Sequence, residues 1–140
     1  MDKGNIEAVS LKKYGKTFYF LKTHRNLTEV LTDHKLASLG DAFINFVYSL
    51  ALSNKKGEPS GAKVRGRALA EALKKAGLRE HLPSRISRHV LADAVEALVV
   101  YAWLHHHITL EESMETLEKT EDLVEGLSQL LRTISDRIKF

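Results

Sequence analysis

Apolar residues recur at helical spacing along most of this chain. Leucine, isoleucine, valine and alanine return every three or four residues, and the alternation typical of a half-buried strand is scarce. Only two prolines interrupt the 140 residues. The pattern predicts an all-α fold with helices over about 34–53, 62–76 and 87–106, a short segment at 78–82, and helix from 109 onward.

Polar residues and glycines mark the ends of the predicted helices. Residues 28–33 supply capping side chains before the first long helix, which we expect to end near Ser53 and Asn54. Residues 54–61 (NKKGEPSG) form the clearest loop. Gly77 is placed to terminate the second helix, since glycine accepts the left-handed conformation common at that position.

The C-terminal helical segment covers about 109–140. It begins with a capping box formed by Thr109 and Glu112. Its apolar positions continue towards the end of the chain, with a break expected near Thr120 or Gly126.

The N-terminal residues 6–21 are ambiguous. Their aromatic side chains could pack from a helix, although Gly15 would weaken it. We predict a single domain over 1–140, with a motif-bearing core at about 34–104 and the C-terminal segment packed beside it.

Composition narrows the class of protein. The chain has no cysteine, which excludes disulfides and thiolate metal sites. No run approaches 18 uninterrupted apolar residues, and residues 1–5 lack the basic region of a secretory signal. We therefore expect a soluble, cytoplasmic protein without a membrane partner.

Charge is distributed unevenly along the chain. Residues 51–90 carry ten lysines and arginines against three glutamates, whereas residues 111–140 carry eight acids against four bases. A concentrated basic stretch suits a polyanion such as RNA. A solvated helix face also accounts for such charge. The basic stretch therefore supports RNA binding only in combination with the carboxylates described next.

Three carboxylates stand among residues that otherwise belong in a core. Residues 36–42 read LASLGDA and contain Asp41, and residues 91–98 read LADAVEAL and contain Asp93 and Glu96. The last two are three residues apart and therefore share one helix face. Because acids are almost never fully buried without a partner, this setting predicts a hydrogen bond or a cation.

Gly40 indicates how the two segments meet. A glycine inside an apolar helix costs about 1 kcal/mol relative to alanine, and close approach of a second helix would explain its presence. The carboxylates would then converge where like charges raise one another's pKa. A divalent cation resolves that repulsion, and oxygen ligands suit Mg²⁺ or Mn²⁺. In the alternative, Asp41 caps a neighbouring helix and the other two carboxylates pair with nearby cations (Lys35, Arg85 or Arg88).

The two motifs together resemble the signatures of the ribonuclease III catalytic domain. The resemblance is strongest over 34–104 and also fits the intervening residues 64–70 (VRGRALA). It implies an all-helical domain that forms a homodimer and binds Mg²⁺ through carboxylates to cleave double-stranded RNA. By the same resemblance Asp41 and Glu96 are the indispensable catalytic and metal-binding residues, and Asp93 joins them.

Three positions depart from the family pattern. Ala37 and His34 stand where the family has two further glutamates, so one usual metal ligand is missing. The mini-ribonuclease III branch, a short form without a double-stranded RNA-binding domain, also has Leu-Ala at this point, and the chain resembles that form. Val100 replaces a usual glycine, which affects helix packing more than chemistry.

Other residues are assigned by chemistry and position. Five basic residues are candidates for binding RNA phosphates: Lys63, Arg65, Arg67, Arg85 and Arg88. His34 is an accessory candidate near the metal or the RNA. Residues 105–107 are three consecutive histidines, which point about 100° apart on a helix and are expected to end the long helix. Trp103 and Tyr101 are expected in the core or at a dimer contact.

The favoured hypothesis is a divalent-metal-dependent endoribonuclease acting on double-stranded or structured RNA. A second is a catalytically inactive ribonuclease III fold that serves as an RNA-binding or ribosome-associated module, in view of Ala37. A third is a helical interaction protein whose acidic motifs serve packing alone. The three retained carboxylates favour the first hypothesis over the second, and the basic stretch argues against the third.

Overall fold

Residues 17–140 are described by a computed structural model, and they form six α-helices and no strand. The helices are α1 (Leu27–Leu31), α2 (His34–Lys56), α3 (Gly66–Lys75), α4 (Arg88–Leu104), α5 (Leu110–Glu118) and α6 (Leu123–Arg137), with a 3₁₀ turn at Arg79–His81. The all-α class predicted from the sequence is confirmed. Of the ambiguous segment, residues 6–16 lie outside the described residues, and residues 17–21 form no helix.

The core is built around α4. Twelve of its 17 residues are buried, and it packs against α1, α2, α3 and α6. A helix that is apolar on nearly every side needs neighbours on every side. The most extensive of these contacts is with α2, so the α2–α4 pair sets the position of both acidic motifs.

Gly40 allows α2 and α4 to meet backbone to backbone. A Cβ atom at this position would lie 1.9 Å from the carbonyl oxygen of Glu96 and 2.4 Å from its carbonyl carbon. No side chain fits in that space. The close approach of a second helix, which the sequence suggested for Gly40, is confirmed.

α2 ends at Lys56, beyond the end predicted near Ser53. Gly57 follows with a φ of 74°, and its N–H donates to the carbonyl oxygen of Ser53. Because glycine adopts this left-handed conformation without steric cost, the helix continues until the glycine and ends there. The start agrees with the sequence, since the Asp33 carboxylate accepts a hydrogen bond from the N–H of Leu36 at 3.0 Å.

α3 begins at Gly66, later than the start predicted at about residue 62. The preceding residues 60–64 form no helix, because hydrogen bonds with side chains of α2 hold their backbone instead. Val64 is nevertheless buried, as expected for an inward residue. Gly77 follows α3 with a φ of 78°, in agreement with its predicted role.

The C-terminal segment divides into α5 and α6 at the break predicted near Thr120. Thr109 and Glu112 make both hydrogen bonds of the predicted capping box. Gly126, the other candidate for the break, lies inside α6. Arg137 pairs with Glu112 at 2.7 Å, so the end of α6 is tied to the start of α5.

One helix within residues 17–140, α2, is long and apolar enough to cross a membrane. Length and composition are the only grounds for that possibility, and the core helix of a water-soluble protein meets the same criteria. The finding is weak evidence for a membrane span, because α2 also packs along α4 in the core.

We predict that Gly40→Ala destabilises the protein by about 2 kcal/mol or more, because the added methyl group must push the backbones of α2 and α4 apart. Helix propensity alone would give the opposite sign, about 1 kcal/mol in favour of alanine. Urea denaturation measures the difference.

Gly66→Ala is the matched control for that substitution. Its Cβ would lie 3.7 Å from the Cβ of Ala92, an ordinary contact, so little loss of stability is expected. Equal effects of the two substitutions would contradict the steric explanation for Gly40.

Candidate active site

The crossing of α2 and α4 places three carboxylates in one cleft. Asp41 follows Gly40 on α2, and Asp93 and Glu96 lie on α4. They border a cavity of about 370 Å³. Its other lining residues are His34, Ala37, Ser38, Val64, Gly66, Leu69, His89 and Ala92. The three acidic residues that the sequence analysis singled out are thus brought together.

Glu96 is the least exposed of the three, with 8% of its surface accessible. The pKa of its carboxyl group is raised to about 8, chiefly by burial and also by a side-chain hydrogen bond with Asp41 and by the charges of Asp41 and Asp93. Without a cation, the Glu96 carboxyl therefore keeps its proton at neutral pH and donates it in a hydrogen bond to Asp41.

Asp41 is exposed at the cleft and is held by Asn45, one turn further along α2. The side-chain nitrogen of Asn45 donates to Asp41 Oδ1 at 3.1 Å, and the side-chain oxygen accepts from the N–H of Val64 at 2.7 Å. The sequence analysis missed Asn45. Its spacing of four residues from Asp41 was a visible signal, but the bond to Val64 depends on the fold.

Two histidines flank Asp93. His34 Nδ1 lies 3.9 Å and His89 Nε2 lies 3.7 Å from the same carboxylate oxygen. Within residues 17–140, none of the three carboxylates forms the ion pair with an arginine or lysine that the structural alternative required. His34 was predicted as an accessory residue. His89 was missed, although it precedes Asp93 by four residues, the spacing at which helix side chains meet.

Three of the five predicted RNA-binding residues line a second cavity beside the carboxylates. Arg65, Arg67 and Arg88 border a space of about 650 Å³. The two cavities share the lining residues Gly66, His89 and Ala92. Lys63 and Arg85 are exposed but line neither cavity. Cationic side chains therefore stand directly next to the acidic cleft.

The carboxylates offer a limited set of ligands for a cation. Across the described residues 17–140, no three Asp, Glu or His side chains are grouped closely enough to hold a metal ion between them. Mg²⁺ needs fewer protein ligands, because it keeps several waters and binds through one or two carboxylates plus substrate phosphates. Asp41 and Glu96 meet this requirement, since their carboxyl groups lie within hydrogen-bonding reach of each other.

Ala37 forms part of the wall of the carboxylate cleft. It is buried, with 4% of its surface exposed, and lines the cavity beside Asp41. A methyl group thus occupies the position at which the resemblance implies a carboxylate. The cleft consequently has an apolar wall on this side.

The aromatic residues and histidines at the end of α4 pack against one another. The rings of His105 and His107 lie 4.3 Å and 6.2 Å from the ring of Tyr101, and Trp103 stacks on Phe43 at 4.9 Å. The three consecutive histidines follow the last residue of α4, as predicted. These residues lie outside the carboxylate cleft.

Comparison with known families extends the resemblance along the chain. A family model described as ribonuclease III matches residues 34–139. The match includes α5 and α6, which the two acidic motifs did not cover. No curated protein matches the chain significantly.

The pKa of Glu96 predicts how stability depends on pH in the presence of a chelator. Because the folded-state pKa of about 8 exceeds the ordinary 4.5, the folded protein retains a proton that the unfolded chain loses. This contribution to stability is complete below pH 4.5, falls as pH rises and levels off above pH 8. The loss is on the order of a few kcal/mol.

Glu96→Gln removes this titration while keeping a hydrogen-bond donor for Asp41. We expect the variant to resemble the wild type at pH 4.5 and to be more stable at pH 8, as measured by urea denaturation at both pH values. Parallel profiles for the two proteins would contradict the raised pKa.

Proposed function

The chain belongs to the ribonuclease III family, and we propose that it is a divalent-metal-dependent endoribonuclease that hydrolyses phosphodiester bonds in double-stranded or structured RNA. Family membership supports an RNA-cleaving nuclease as the class of enzyme. The proposal of metal-dependent cleavage rests on one observation: the carboxyl groups of Asp41 and Glu96 are hydrogen-bonded to each other where α2 and α4 cross.

Asp41 and Glu96 would hold Mg²⁺ or Mn²⁺, with Asp93 within the same cleft as a further oxygen ligand. The cation supplies Lewis acidity, which polarises a phosphoryl oxygen and makes water a stronger nucleophile at neutral pH. The chain itself must release the Glu96 proton before this carboxylate can act as a ligand, since ligands bind in their deprotonated form.

Arg65, Arg67 and Arg88 would bind the RNA backbone beside the carboxylates. Their cavity adjoins the acidic cleft, so a backbone held by the arginines can place one phosphate at Asp41 and Glu96. Lys63 and Arg85, which are exposed near these residues in the sequence, would extend the contact to further phosphates. Contacts of this kind are independent of base sequence and weaken with salt.

A second candidate function is RNA binding without cleavage, in a ribonuclease III fold that serves as an RNA-binding or ribosome-associated module. Ala37 favours it, because this residue removes a carboxylate from the wall of the cleft. The buried Glu96 weighs against it. A carboxyl group held beside two other acids destabilises the folded state at neutral pH. A bound cation would offset this cost, which explains why the three acids are placed together.

We also propose that the protein acts as a homodimer. Phe20, Leu39 and Phe46 are large apolar residues with 56%, 41% and 54% of their surfaces exposed, and all three line one apolar cavity. Leu39 and Phe46 are seven residues apart on α2, on the same helix face. A second copy covering this face would remove these apolar side chains from water.

Cleavage of a labelled RNA duplex with Mg²⁺ or Mn²⁺ tests the proposed activity. We predict that Asp41→Asn and Glu96→Gln each lower the rate by about 100-fold or more, because removing even an outer partner of a metal ligand costs about 10- to 100-fold. Asp136→Asn and Glu115→Gln are matched controls, since both carboxylates are exposed and line neither cavity.

Two outcomes would change the assignment. Duplex binding without metal-dependent cleavage, unaltered in both variants, would support the RNA-binding module. Cleavage that survives Asp41→Asn would show that the site lies elsewhere.

The oligomeric state is tested by sedimentation. We predict that Phe46→Asp converts a dimer to a monomer, because the new charge would be buried against the second copy. Phe140→Asp is the control, since Phe140 is also 54% exposed but does not line the apolar cavity. A wild-type protein that sediments as a monomer at high concentration would exclude the homodimer.

A further inference from the structure

A ladder of side chains on α2 holds the segment that carries the arginines to the cleft. The ladder consists of Asn45, Ser49 and Ser53, which are spaced four residues apart on one helix face. Their partners are backbone groups of alternate residues in the segment: Val64, Ala62 and Ser60. The segment therefore runs antiparallel to α2 along this face.

The advance per residue along α2 and along the segment explains why the ladder stays in register. Four residues of an α-helix advance 6.0 Å at about 1.5 Å per residue, and two residues of an extended chain advance about 6.6 Å. Residues 60, 62 and 64 can therefore each meet one side chain of α2. This places Arg65 and Gly66 at a set distance from the carboxylate cleft.

The lower two rungs of the ladder are alike. The hydroxyl oxygen of Ser49 accepts from the N–H of Ala62 at 2.9 Å and donates to its carbonyl oxygen at 3.0 Å. The Ser53 hydroxyl oxygen likewise accepts from the N–H of Ser60 at 2.9 Å, and its donor is shared between the carbonyl oxygen of Ser60 at 3.1 Å and that of Ser49, one turn back on α2, at 2.8 Å. Both hydroxyls thus accept from the segment, and Ser49 also directs its donor to the segment.

Asn45 differs from the two serines in the use of its donor. Its oxygen accepts from the N–H of Val64, as in the other rungs, but its nitrogen donates to Asp41 Oδ1 at 3.1 Å. An amide can do this because its donor and acceptor are separate atoms. Asn45 consequently joins the segment with the arginines directly to a carboxylate of the cleft.

We propose that Asn45 is a positioning residue for the reaction, which fixes the Asp41 carboxylate relative to the RNA-binding segment at Arg65 and Arg67. This inference rests on the proposed function. Asn45 orients the Asp41 carboxylate towards the cation, whereas Ser49 and Ser53 hold the backbone of the segment in place. Orientation of the metal ligand and binding of RNA therefore depend on different side chains of one helix face.

The variant Asn45→Ser separates the two roles. A serine can reproduce the rung seen at Ser49 and Ser53, but it removes the amide donor that Asn45 supplies to Asp41. Ser49→Ala is the matched control, because it breaks a rung with two hydrogen bonds and leaves the Asn45–Asp41 bond in place. The measurements are kcat and KM for duplex RNA, and Mn²⁺ binding to RNA-free protein by electron paramagnetic resonance.

We expect Asn45→Ser to lower kcat and Mn²⁺ affinity about 10-fold with little change in KM, in the range found for outer partners of metal ligands. Ser49→Ala should raise KM and leave Mn²⁺ binding unchanged. If Asn45→Ser cleaves and binds Mn²⁺ as the wild type does, the positioning role is wrong while the proposed function stands. If the wild type neither cleaves RNA nor binds Mn²⁺, the proposed function fails and the role of Asn45 fails with it.

Discussion

The contact between the Gly40 backbone and the Glu96 carbonyl group is the constraint on which the site depends. Since no side chain separates α2 from α4 at this point, the residue after the glycine and the side chain of the glutamate emerge beside each other. The distance between the two carboxyl groups is therefore set by backbone packing. The close packing of α2 on α4, the most extensive helix contact among the described residues, thus also brings the two carboxyl groups together.

The electrostatics of the site oppose the stability of the fold. Glu96 is placed where its charge is disfavoured by burial and by two neighbouring acids, and its pKa is raised to about 8. Two histidines lie near one carboxylate oxygen of Asp93, and arginines line the adjoining cavity. Sites that break local rules of stability are often functional, and this is the strongest physical argument for a role beyond packing.

Much of the architecture could be predicted from the sequence, because it depends on local signals. The helices follow from apolar periodicity, the capping box from Thr109 and Glu112, and the helix crossing from a glycine in an apolar stretch. The start of α3 could not be predicted in this way. Residues 60–64 carry no periodic pattern that distinguishes an irregular segment from a helix, and their partners lie on α2. Asn45 was missed because its bond to Val64 exists only when α2 and the segment are placed together. His89 was missed although its spacing of four residues from Asp93 on α4 is visible in the sequence.

The ladder on α2 also determines where the chain can change in length. A single residue added within 60–64 would exchange the backbone groups that face α2 for those that face away, because successive residues of an extended chain point to opposite sides. Residues 57–59 follow the end of α2, precede the first bonded residue of the segment, Ser60, and carry no such alternation. Insertions at this end of the connection should lengthen a surface loop and leave the arginines in place, so it is the natural point at which to attach a further RNA-binding element.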